Sequence, residues 1–163
     1  MDNPGHPPIL VLGLGNPVLG DDGIGCRVAM ALQPATDLRG AEVDTFEKGG
    51  LSLMERIVGY RRVILVDAVT TGEAPRGSVN VYPLGELPNP GLGHLNSAHE
   101  TSLQTALEVA RQLDAEVPAE ITVVAIETDR VFELGEELTP EATAALPRAV
   151  ALVRALILDR PSA

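Results

Sequence analysis

Three continuous apolar runs constrain this chain more than any other feature. "ILVLGL" at Ile9–Leu14, "RVILVDAV" at Arg62–Val69 and "EITVVAIE" at Glu120–Glu127 lack the polar alternation of a half-exposed strand. Such runs belong to strands covered on both faces, as in a parallel sheet between helical layers. The intervening segments supply those layers. Residues 23–32 carry Ile24, Val28, Ala31 and Leu32 on one face, residues 51–58 read as a short amphipathic helix, and residues 97–113 as a longer one. The last helix has Thr139 as N-cap and Pro140 at its first position, where its missing N–H costs nothing; Pro147 is expected to kink or divide it. "EVDTFE" at Glu42–Glu47 and "GSVNVYP" at Gly77–Pro83 complete a set of five strands. The link "TTGEAPR" is too short for a helical crossover, so the strand after it is antiparallel to its predecessor. A three-layer α/β/α sandwich around a mainly parallel sheet follows.

At 163 residues, 45% apolar, the chain fits a single domain over residues 1–163 that is stable without cross-links. One cysteine, Cys26, excludes an internal disulfide framework and suits a reducing cytoplasm. No apolar run reaches membrane-spanning length and no basic leader precedes the first strand. Twelve basic against 23 acidic side chains give a formal charge of −11, which disfavours nucleic acid and anionic membrane as partners.

Ligands of open α/β sheets gather beyond the carboxyl ends of the strands. Asp22 follows the first strand, Asp67 lies near the end of the third, and His99 stands in the opening turn of the helix over 97–113, with Ser97 and Glu100 forming its capping box. Two carboxylates and an imidazole make a site with open positions for a divalent ion such as Ni²⁺ or Zn²⁺. Each residue also has a structural reading. Asp21 and Asp22 can cap the first helix, Asp67 can satisfy loop amides, and His99 can simply be solvated. His94, in the Gly/Pro-rich loop over 83–97, is a second choice as ligand, and His6 reads as solvated. The glycines at 13, 15 and 20 miss the dinucleotide-binding spacing and no phosphate-loop lysine follows; Gly13 and Gly15 serve a tight turn and close helix approach. Cys26 reads as a buried inert thiol, Asn16 as a turn residue and Glu127 as a strand-end carboxylate bonded to loop amides.

"GLGNPVLGDDGIG", "ILVDAV" and "SAHETSL" together resemble the three motif regions of the nickel-iron hydrogenase maturation proteases, over Ile9 to about Leu158. The resemblance implies a five-stranded mixed sheet in the order 2-1-3-5-4 with strand four antiparallel. It implies a metal-dependent, aspartic-type endopeptidase that trims a C-terminal extension from the hydrogenase large-subunit precursor after nickel insertion. It carries the family's metal-binding positions onto Asp22, Asp67 and His99, with nickel supplied by the precursor. Asp21 is a weaker candidate for general base. Two rivals stand beside this reading. One is a non-catalytic sensor of metal or precursor. The other is an esterase similar to peptidyl-tRNA hydrolase, whose "GLGNP" turn is alike but which pairs a catalytic His with Asn and has a basic RNA-binding face.

Overall fold

The computed structural model describes residues 7–35, 37–88, 102–129 and 134–159. Its five strands are β1 (Ile9–Leu14), β2 (Glu42–Phe46), β3 (Arg62–Val69), β4 (Val79–Pro83) and β5 (Glu120–Glu127); its helices are α1 (Ile24–Leu32), α2 (Gly50–Ile57), α3 (Leu103–Gln112) and α4 (Pro140–Leu158). The strands form one sheet in the order β2-β1-β3-β5-β4. All pairs are parallel except β4 with β5. Both the order and the reversed strand agree with expectation. β4 lies at the sheet edge, where its terminal Pro83 removes no needed ladder donor.

The central strand β3 is buried at all eight positions. Alternate side chains serve two cores, because a strand points successive residues to opposite faces. Val11, Ile64, Val66, Val124 and Ile126 pack with Ile24, Val28 and Leu32 of α1 and with Ala145, Ala149, Val153 and Ile157 of α4. Leu10, Leu12, Leu65 and Val123 pack on the other face with Leu53 and Ile57 of α2 and Leu103 and Leu107 of α3. The sheet is thus sandwiched between α1/α4 and α2/α3.

Two expectations about helices need correction. α3 is capped by Ser102, whose side chain accepts from the amide of Thr105, so the helix starts at Leu103 and not at Ala98. Its buried stripe is Leu103, Ala106, Leu107 and Ala110. The capping box assigned to Ser97 and Glu100 lies outside the described residues. Pro147 does not divide α4, which is continuous from Pro140 to Leu158. Pro147 and Thr143 are both exposed, so the carbonyl that loses its i+4 donor faces water.

Candidate active site at the carboxyl rim of the sheet

The segment after β1 is shaped by glycine. Gly15 and Gly20 have φ of 122° and 59°, conformations that favour a residue without Cβ. Gly13 and Gly25 bring α1 onto the sheet backbone to backbone: a Cβ on Gly13 would lie 2.1 Å from the carbonyl oxygen of Gly25, and one on Gly25 would lie 2.2 Å from that of Val66. The glycines thus provide the tight turn and close helix approach read from the sequence. Between them Asn16 closes the turn, its side-chain oxygen accepting from the amide of Val18 at 3.1 Å.

The two aspartates occupy a 3₁₀ turn over Gly20–Gly23, directly before α1. Neither caps that helix, whose N-cap is Gly23 with no side-chain acceptor. They diverge instead. Asp22 Oδ2 accepts from the amide of Asn16 at 2.9 Å. Asp21 reaches to the start of α4, where its two oxygens accept from the amide of Thr139 at 2.8 Å and from its hydroxyl at 2.7 Å. That double engagement is a structural role.

Asp67 is fully buried within β3, opposite Ala125 of β5. Its position in the strand alternation puts it on the α2/α3 face with Val63, Leu65 and Val69. Asp22 and Asp67 nevertheless act on one place. Cys26 donates its thiol to the carbonyl of Gly15 at 3.2 Å, with that of Gly13 at 3.5 Å. Burial pushes this thiol up to about 11, and the carboxylates of Glu47, Asp22 and Asp67 add to the shift. The turn that carries Asp22 packs against β3, so a residue after β1 and another within β3, 45 positions apart in sequence, lie at the same rim. The thiol is buried, as the sequence reading held, and hydrogen-bonded.

Glu47 was not singled out from the sequence. It follows β2 immediately, at the rim where the amide of Gly15 bonds the carbonyl of Phe46, and it is exposed. Its place after a strand flanking β1 is the signal by which it is found. His99, His94 and His6 lie outside the described residues. Among the described residues no group of three His, Cys, Asp or Glu side chains is placed to hold a metal ion.

Glu127, at the far end of β5, bonds loop amides as the sequence reading held. Oε1 accepts from the amides of Thr71 and Gly72, both at 2.9 Å, and Oε2 from the hydroxyl of Thr71 at 2.8 Å. It braces the β3–β4 connection.

A model of the hydrogenase maturation proteases, HycI, matches residues 26–155. This chain belongs to the hydrogenase maturation protease family. The family's role is processing of the hydrogenase large subunit, and its members are endopeptidases. Among curated relatives of this maturation protease, the hydrogenase expression/formation protein HupD of Rhizobium leguminosarum bv. viciae is 30% identical, over 90% of this chain and 72% of its own. Protein FrxA of Pyrococcus furiosus is 31% identical, over 86% of this chain and 98% of its own. The solved structure of the hydrogenase maturating endopeptidase HybD from E. coli superposes with a TM-score of 0.72 at 25% identity, covering 91% of each chain. The family match begins at Cys26, so Asp67 and His99 lie within it and Asp22 just before it. Among the described residues of this maturation protease, no helix is long and apolar enough to cross a membrane.

Proposed function

We propose that this maturation protease removes the C-terminal extension of the nickel-iron hydrogenase large-subunit precursor after nickel insertion, in the cytoplasm, and that Asp22, Asp67 and His99 engage the nickel the precursor carries. The observation that supports this reading is that the 3₁₀ turn carrying Asp22 packs against β3, which carries Asp67, with the carbonyl of Val66 lying against Gly25 at the start of α1. Asp67 is fully buried near the end of β3, and a carboxylate there is an oxygen donor suited to a divalent cation. Two carboxylates and one imidazole suit a borderline divalent ion and leave coordination positions open.

In this reading nickel is part of the substrate. Its presence would admit only loaded precursors, since a nickel-free tail would lack the group that the three side chains hold. A cation at the scissile peptide supplies Lewis-acid chemistry, polarising the carbonyl or acidifying water. The balanced reaction is hydrolysis: the C–N bond breaks, hydroxyl adds to the carbonyl carbon and a proton goes to the leaving amine. The one cysteine is buried with a raised pKa, so the reading needs no acyl-enzyme on that thiol.

Incubation of nickel-loaded precursor with the purified chain, read by intact-mass spectrometry, tests the proposal. Loss of the precursor's C-terminal peptide is expected with the native chain and not with Asp22→Ala, Asp67→Ala or His99→Ala. A stable complex of unchanged mass would support a non-catalytic sensor instead. Full cleavage by all three variants would refute the site.

A further inference from the structure

The loop that presents Asp22 has little apolar anchorage of its own. Every residue from Asn16 to Asp22 is half-buried or exposed. Besides its own turn bonds it is held from outside, by the segment that leads into α4. The amide of Gly20 bonds the carbonyl of Gly135 at 2.8 Å, and the amide of Gly135 returns a bond to Val18 at 2.9 Å. Arg27 of α1 bonds the carbonyl of Glu136. Within the loop Asn16 Oδ1 accepts from the amide of Val18 and Asp22 Oδ2 from that of Asn16; Asp21 ties the loop to α4, gripping Thr139 through both carboxylate oxygens.

Thr139 has two tasks in this arrangement. Its hydroxyl donates to Asp21 and accepts from the amide of Ala142 at 3.3 Å, so the cap of α4 and the anchor of the glycine loop are one group. Two charge-assisted bonds to a single residue fix the orientation of a carboxylate better than one. Asp21 and Asp22 are consecutive in a single 3₁₀ turn, so fixing the first side chain limits how that turn can rotate and where the second points.

We propose that Asp21 is a positioning residue which, latched to Thr139 at the N-cap of α4, sets the aim of the Asp22 carboxylate for nickel on the precursor. The inference rests on the reading of Asp22 given above and extends it to a pair of residues that touch no substrate. α4 thereby becomes part of the site's support, although its length packs beside α1 on one face of the sheet. The latch is exposed, so water replaces its bonds when they are lost. Its removal therefore disturbs orientation more than global stability.

The experiment uses the full chain with Asp21→Ala, Thr139→Val, the double variant, Thr139→Ser and Asp22→Ala. Thermal unfolding checks that each folds. Two readouts follow: the processing rate of nickel-loaded precursor, and hydrogen exchange at the Gly20 and Asp22 amides without substrate. Asp21→Ala and Thr139→Val are expected to slow processing about tenfold, the scale for groups that orient a metal-engaging side chain. The double variant is expected to be no slower than the worse single one, exchange at both amides to quicken, and Thr139→Ser to restore both readouts. Native processing and exchange in Asp21→Ala and Thr139→Val, with Asp22→Ala inactive, overturns the latch alone. Additive losses in the double variant, or loss in Asp21→Ala without loss in Thr139→Val, also overturns it. Full processing by Asp22→Ala overturns the functional reading and the latch together.

Discussion

Gly25 of α1 lies against Val66 of β3 so closely that a Cβ at position 25 would stand 2.2 Å from the Val66 carbonyl oxygen and 2.5 Å from that of Leu14. Both obstacles are backbone in buried strands, so they cannot swing aside. Gly25→Ala is expected to lift α1 from the sheet at a cost of about 1–3 kcal/mol or more, the range for overpacked cores. Denaturant unfolding measures it as a lower midpoint at unchanged slope. Because Val66 precedes Asp67, precursor processing should fall further than stability alone explains.

Glu127 joins β5 to the β3–β4 connection with three accepted bonds. Glu127→Ala leaves the amides of Thr71 and Gly72 without that acceptor, which should cost about 1–3 kcal/mol. Exchange at the Gly72 amide is expected to accelerate, while any variant that remains folded continues to process precursor. A complete loss of processing in a folded Glu127→Ala protein would give this carboxylate more than a structural role.

The Cys26 thiol should be silent toward thiol reagents at pH 8 in the native protein and should react at once in denaturant. Its pKa is raised from 9.0 to about 11 by burial, with neighbouring carboxylates adding. For an acid whose folded pKa is raised, the associated stability is fully present below pH 9 and is lost as pH climbs through about 11. Unfolding midpoints of the native chain and Cys26→Ala, compared across that window, are expected to show the steeper alkaline decline in the native chain.

At the opposite end of the sheet, the hydroxyl of Tyr60 donates to Glu42 at 2.6 Å and Arg56 donates to the other oxygen at 2.6 Å. The Tyr60 bond is the main cause of a lowered Glu42 pKa, burial opposing it and Arg56 assisting. A depressed carboxyl pKa contributes stability that is present above pH 4.5 and is lost as pH falls through the folded value. Tyr60→Phe should therefore lose stability at neutral pH and show a shallower acid decline than the native chain. Parallel acid melts decide this.

The buried strands were legible because each is a mostly apolar run without polar alternation, and β3 and β5 fall on the residues so read. The reversed direction of β4 followed from a link too short to cross over. Strand order had another source, since it is not written in periodicity and came with the motif resemblance. The start of α3 was misread because Ser97 and Ser102 both look like caps; only the burial of Leu103 and Ala106 selects the second. The partner of Asp21 was invisible for a different reason. Asp21 and Thr139 are 118 residues apart, and each has a self-sufficient local explanation as a helix-cap residue. A contact of that kind leaves no trace in spacing.

The meeting of Gly13 and Gly25 has a wider consequence. Where a helix meets a sheet main chain to main chain, as at these two glycines, no side chains set the gap at that point. Substitutions can then accumulate throughout both apolar layers, altering how firmly the molecule holds together, while the interval separating the first loop from the third strand stays constant. Distant cousins can thus keep the same acidic rim after most of the surrounding residues have been exchanged.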